Sequence, residues 1–329
     1  MELVLHTFGT LLCRDMEGFV ITNSEGRKRL PCNGITSIQI GKGVQVTSDA
    51  IMLAIEREIE ILFVERAGDL KGRVWSSRYG SISTIRKGQL AFAASVEAVE
   101  WIKGIIAKKI LNQQALLLSL VSLFPNETYR VDKAISRLEE YIIKVKSLEG
   151  EKVSDISSTL RGWEGYSSKI YFDTLNMFIP ERYRFSCRSQ HPAMDVVNAF
   201  LNYGYGILYG KIEGILIKVG IDPYIGVMHR DEYNRPVLVY DLIELYRVWV
   251  DYVVYSLVVQ HVVTDEFFSV HEDGSYWLES LGRRILIQSV NDYLDEVVEV
   301  DGLSRTRVTH INLYAQRLAQ KFKSIKLKS

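Results

Sequence analysis

The chain has 329 residues, is 47% hydrophobic and 24% charged, a balance that belongs to a folded protein and excludes a disordered one. Forty Lys and Arg offset forty Asp and Glu, so no global basic signature marks a nucleic-acid partner and local patches have to be read instead. The length exceeds one small core, which makes two domains the default expectation.

The N-terminal run "MELVLHTFGTLLCRD" carries charges at both ends of a short apolar stretch, unlike a signal peptide. Residues 1–80 then read as strands. "LVLHT", "TLLC", "FVITN", "KRLP", "ITSIQI" and "VQVTS" are short, rich in β-branched residues and separated by turn signals such as "NSEG" and "GKG". "SDAIMLAIERE" reads as one helix with Ser48 as N-cap, followed by a strand in "IEILFVE". The three cysteines, Cys13, Cys32 and Cys187, include no C-x-x-C pair. An odd, scattered set argues against a disulfide framework and a thiolate zinc site, and points to a reducing cytoplasm.

Past residue 85 the apolar spacing becomes helical. Segments 88–123, 126–148, 153–178, 194–219, 238–264 and 275–299 read as helices, with a last one near 308–324. The expected fold is therefore α+β: a small N-terminal domain of mostly antiparallel strands over 1–84, then a larger all-α domain over 85–329. The most apolar stretch, 237–264, is interrupted by Asp241, Glu244, Arg247 and Asp251, so it does not read as a membrane span. Gly206, Gly210 and Gly214 lie along one face of the 194–219 helix, where they allow another backbone to approach. No strand–turn–helix context makes them a nucleotide fingerprint.

Asp241, Glu244, Arg247 and Asp251 recur at steps of three, three and four, so on one continuous helix they share a face. Read alone, this stripe is most simply a solvated face with a weak Glu244–Arg247 pair. Glu164 sits in "LRGWEGYSSKIYFDTL", with Arg161 one turn before it and Ser168 one turn after. His229 lies in the loop "GVMHRDEYNRP". His261 and Asp265 fall four apart and read as a structural pair.

Taken together, "RGWEGYSSKIYF", "NAFLNYGYGILYGKIEGILIKVGIDPYIGVMHRD" and "PVLVYDLIELYR" resemble the CRISPR-associated integrase of spacer acquisition, the Cas-one family. The resemblance covers nearly the whole chain, most strongly over 160–247. It implies that Glu164, His229 and Glu244 bind a divalent metal, Mg²⁺ or Mn²⁺, with Asp241 as a supporting or alternative ligand. Two carboxylates and an imidazole leave positions for water and phosphate oxygen, which suits an open catalytic site. The implied chemistry is attack by a DNA 3′-hydroxyl on a phosphodiester, with water as the attacking group in the nuclease reaction. Arg230, Arg235 and Arg247 surround the acids in sequence, and Arg182, Arg184 and Arg188 interleave with Tyr183 and Phe185 in "IPERYRFSCRS"; both sets suit DNA contact. Past Asp301 the chain carries only basic charges, from Arg305 to Lys328. The resemblance also implies a homodimer through the β domain and a small ferredoxin-like second protein of the adaptation complex. The competing readings are a non-catalytic DNA-binding scaffold of the same fold, and a phosphohydrolase of small phosphoesters.

Overall fold

The computed structural model describes residues 2–65, 70–74, 83–121, 124–229 and 235–325. Its contacts divide the chain into two units, Met1–Gly80 and Ser81–Ser329.

Among the described residues the first unit holds eight strands and one helix: β1 Glu2–Leu5, β2 Leu11–Asp15, β3 Gly18–Asn23, β4 Gly26–Pro31, β5 Ser37–Ile40, β6 Gln45–Val46, α1 Ser48–Glu56, β7 Glu60–Val64 and β8 Leu70–Val74. They form two four-stranded sheets, ordered β1-β5-β7-β8 and β4-β3-β2-β6. The longest ladders, β2/β3 and β3/β4, are antiparallel, while β1, β5 and β7 run parallel. One core joins both sheets to α1 through Leu5, Leu12, Phe19, Ile38, Leu53 and Ile61. β5 is buried on both faces, and its polar Ser37 and Gln39 donate to Glu2 Oε1 at 2.8 and 3.1 Å. The cap of α1 is Thr47 rather than Ser48: its side chain accepts from the Ala50 amide. Strand β8 was not visible as a strand in the sequence, because "LKGRV" lacks an alternating apolar pattern.

The second unit is mainly helical, with α2 Ser83–Ala93, α3 Val96–Val121, α4 Thr128–Ser147, α5 Val153–Leu175, α6 Val196–Lys218, α7 Val237–Ile243 and α8 Arg247–Val259. Strands β9 Phe268–Val270 and β10 Tyr276–Leu278 follow, then α9 Ser280–Asp295, β11 Val297–Val300, β12 Leu303–Thr306 and α10 Arg307–Ser324. The unit is thus not all helix. Two short antiparallel hairpins, β9/β10 and β11/β12, flank α9 and take the two ends of the helix expected at 275–299. The first turns at "HEDGS" and the second at Asp301–Gly302, both with positive φ, a conformation that suits glycine and closes hairpins.

Two expected helices are each split. The 88–123 segment breaks at Ser95, whose hydroxyl accepts from Ala98 N and so caps α3. The 238–264 segment breaks at Glu244–Tyr246, where Leu245 and Tyr246 bond back three residues rather than four. The freed Leu245 carbonyl is taken by Asn112 Nδ2 of α3 at 2.9 Å. The same segment stops at Val259, so His261 and Asp265 share no helix.

Helix α6 lies at the centre, buried on nearly every face and packed against α7, α8, α9 and α10. At Gly204 a Cβ would sit 2.6 Å from Val250 Cγ1, so it is a side chain of α8 and not a backbone that packs there; Gly210 has open space instead. Helices α3, α4 and α5 pack on one another, and α3 also reaches α7 and α8. Among the described residues no helix is long and apolar enough to cross a membrane.

Helices α2 and α10 meet at Gly88, where a Cβ would lie 1.8 Å from the Phe322 carbonyl oxygen. Backbone cannot yield as a side chain does, so Gly88→Ala is expected to destabilise the unit by about 1–3 kcal/mol in chemical denaturation. An unchanged transition midpoint would show that the two helices do not pack this closely.

Candidate active site

Helix α5 places Glu164. Its buried stripe runs through Ile156, Leu160, Ser167, Ile170, Tyr171 and Thr174, and Glu164 lies four residues after Leu160, at the edge of that stripe. Glu164 Oε1 accepts from Ser168 Oγ at 3.0 Å, one turn on, and from Lys109 Nζ of α3. Arg161 turns away and bonds the Ser157 carbonyl.

Glu244 stands at the break between α7 and α8. Its Oε1 accepts from Arg247 Nε at 2.7 Å, and its Oε2 lies 2.5 Å from Lys109 Nζ, though out of hydrogen-bond alignment. One ammonium therefore faces two carboxylates brought from α5 and from the α7–α8 turn. The side chains of Lys109 and Glu244 are 7% and 8% exposed. Burial works against the Glu244 carboxylate, but Arg247 and Lys109 outweigh it and hold its pKa down at about 2. Burial likewise disfavours the Lys109 ammonium, and Glu244 with Glu164 reverses that and raises its pKa. Helical periodicity gave a signal for Lys109. It shares the buried stripe of α3 with Ile102, Ile106 and Gln113, whereas Lys108 points out. A lysine in such a stripe needs an acid from another element.

Asp241 does something different from the two glutamates. It is fully buried, and its carboxylate accepts from Val227 N at 2.7 Å, Met228 N at 3.1 Å and His229 N at 3.2 Å, with His229 Nδ1 at 2.8 Å. The loop can fold onto it because residue 226 is glycine; a Cβ there would meet the His229 carbonyl oxygen at 2.4 Å. Both of its oxygens are engaged by this loop, and one of them orients the His229 ring. With Nδ1 turned to Asp241, Nε2 is the ring nitrogen left to face a ligand. The ring packs edge-on to Tyr240, with centroids 5.9 Å apart. Burial lowers the His229 pKa, but the hydrogen bond and charge of Asp241, with Glu244, raise it overall.

The arginines divide. Arg247 stays inside the site, stacked over Tyr205 at 4.7 Å. Arg188 is turned inward as well, donating to Asn198 Oδ1 and Asn202 Oδ1 at 2.6 Å each. Arg182 and Arg184 are exposed and line a cavity of about 740 Å³ with Tyr183, Phe185, Phe268 and Tyr276; Arg182 also pairs with Asp265. Arg235 is exposed, and Arg230 lies outside the described residues. Below the site Asp251, also buried, accepts from Tyr171 OH at 2.9 Å and from Tyr205 OH; burial pushes its pKa up to about 6 against these hydrogen bonds.

Among the described residues no three His, Cys, Asp or Glu side chains are arranged to hold a metal ion as they lie. The carboxylate pair closes on Lys109 instead. The donor chemistry still fits a hard divalent cation: two carboxylates already converge on one positive charge, and His229 offers a fixed imidazole within electrostatic range of Glu244.

A family model described as CRISPR associated protein Cas1 matches residues 3–292. A relative named CRISPR-associated endonuclease Cas1 1, from Archaeoglobus fulgidus, is 30% identical over 96% of this chain and 94% of its own. A solved casposase bound to integration product superposes with a TM-score of 0.83 at 23% identity, over 99% of this chain and 92% of that one. A Cas6-RT-Cas1–Cas2 complex superposes with a TM-score of 0.80 at 21% identity over 98% of this chain, which spans only 35% of that longer one. At these identities the two structures establish the fold.

Two titrations check the site. Asp241→Asn removes the charge that raises His229, so its imidazole midpoint, followed by NMR, is expected to fall from above 6.5 toward or below that value; an unmoved midpoint would sever the pair. Glu244 is depressed from 4.5 to about 2, so its contribution to stability is full above pH 4.5 and is lost as pH falls toward 2. The stability advantage of wild type over Glu244→Gln is expected to shrink across that window, and a difference independent of pH would contradict the assignment.

Proposed function

The chain belongs to the CRISPR-associated Cas1 family, and from that premise we propose that it is a divalent-metal-dependent DNA endonuclease and integrase that inserts spacer DNA into a CRISPR array. The observation that carries this reading is the convergence of Glu164 and Glu244, from separate elements, on one buried cation, together with a histidine whose ring Asp241 orients. Membership of a family whose relative is named an endonuclease supports the activity.

In this reading Glu164, Glu244 and His229 Nε2 hold Mg²⁺ or Mn²⁺. When bound, the ion polarises a phosphodiester and positions the attacking hydroxyl. The chain's own residues prepare that site. Asp241 fixes the tautomer and direction of His229, and Arg247 keeps the Glu244 carboxylate ionised and pointed. A DNA 3′-hydroxyl attacks phosphorus, its proton leaves, a new P–O bond forms, and the departing strand leaves with a 3′-oxygen that takes up a proton. Water in place of the hydroxyl gives nicking. Arg182 and Arg184, exposed beside the aromatic-lined cavity, serve as DNA contacts, together with Arg230, Arg235 and the basic faces of α10. Arg188 supports the α6 end from within rather than reaching a phosphate. The working assembly pairs two copies through the β domain and adds the small ferredoxin-like Cas2 protein; a Cas1–Cas2 complex sharing this fold supports that partner.

Loss of even an outer partner of a metal ligand costs about 10–100-fold. Glu164→Gln, His229→Ala and Glu244→Gln are therefore each expected to lower strand transfer of 3′-hydroxyl DNA into a plasmid by about 100-fold or more, with duplex binding kept, and chelation of divalent ions is expected to abolish it. Wild-type strand transfer in all three variants would overturn the reading. Arg184→Ala is expected to weaken binding across DNA sequences and reduce the salt slope by about one; an unchanged slope would remove it from the interface.

A further inference from the structure

The carboxylate pair already has a cation. Lys109 Nζ faces Glu164 Oε1 and Glu244 Oε2 together, with its side chain almost wholly buried on α3. With Arg247 on the other oxygen of Glu244, the cluster holds two negative and two positive charges and is neutral. We propose that Lys109 is the resident counter-ion of this site, and that a divalent cation and the Lys109 ammonium compete for the same two carboxylates. The proposal rests on the metal reading given above.

Charge balance carries the argument. A divalent ion added beside Lys109 and Arg247 leaves two net positive charges in a desolvated cluster, which is costly. The same ion in place of the ammonium leaves one, and a bound phosphodiester then cancels it. The chain is thus built so that the two glutamates stay apposed without metal, and so that metal and DNA together replace the lysine more favourably than metal alone. Lys109 in this role is a positioning residue: it sets which cation occupies the pair and touches no substrate.

The surroundings keep the pair in place when the lysine is changed. Asn112, three residues along α3, still holds the Leu245 carbonyl, Arg247 still holds Glu244, and Ser168 still holds Glu164. Lys109→Met keeps an unbranched, largely apolar side chain one atom shorter and removes the ammonium with its charge and its N–H donors.

The test is Mn²⁺ binding to the full chain without DNA, read from the free-ion EPR signal, with thermal melting in the presence and absence of Mn²⁺ as a second readout. Lys109→Met is expected to bind Mn²⁺ at least ~10-fold more tightly than wild type, since a like charge a few ångströms away is removed. Its melting temperature is expected to fall without Mn²⁺ and recover with it. Arg247→Met, which frees one carboxylate oxygen rather than both glutamates, is expected to gain less. If Lys109→Met does not fold, Lys109→Gln is measured in the same way. Equal or weaker binding by the folded Lys109 variant overturns the proposal, as does an equal gain in Arg247→Met. Glu164→Gln separates the two levels of the argument: binding that it leaves untouched in both backgrounds overturns the metal reading itself, and the competition with it.

Discussion

The candidate site is organised around one buried ammonium. Lys109 sits in an apolar stripe of α3, where a lone charge would be very costly. The structure meets that cost by drawing in carboxylates from two other elements. Glu164 comes from a regular helix and Glu244 from a turn, and Asn112, one helical turn beyond Lys109, takes the Leu245 carbonyl that a continuous helix would have used. The same face of α3 therefore satisfies both the carbonyl and the carboxylate that the break leaves open.

The second organising charge is Asp241, and it acts on backbone. A fully buried carboxylate that accepts three main-chain amides and an imidazole nitrogen fixes the loop whose Val227 and Met228 are themselves buried. Such a carboxylate is a structural anchor with a functional consequence: it decides which nitrogen of His229 faces outward. The acids of "YDLIELYRVWVD" divide the labour by their surroundings. Asp241 is sealed under the loop, Glu244 reaches the cation, and Asp251 is held by the hydroxyls of Tyr171 and Tyr205.

Much of this was legible before the fold was known, and what was not has physical reasons. The β-then-helical order followed from a change of period near residue 85, and the three motifs around Glu164, His229 and Glu244 pointed to the family to which the chain belongs. The hairpins at 268–278 and 297–306 were hidden because short strands beside amphipathic helices carry no distinct period. The common face assigned to Asp241, Glu244, Arg247 and Asp251 assumed one helix, and the carbonyl freed by the break at Glu244–Tyr246 is taken by a side chain more than a hundred residues away. Lys109 lay in plain view as a lysine in a buried stripe, yet its partners are 55 and 135 residues distant in sequence, and no local pattern could name them.

The central claim is that Glu164, Glu244 and His229 form one divalent-cation site. Crystals soaked in Mn²⁺ and measured at the manganese absorption edge test it most directly. The account predicts an anomalous peak within about 2.0–2.6 Å of a carboxylate oxygen of each glutamate and of His229 Nε2, with the Lys109 ammonium moved off the pair. A peak bound elsewhere, or a soaked crystal in which Lys109 still bridges the two carboxylates with no manganese beside them, would contradict it.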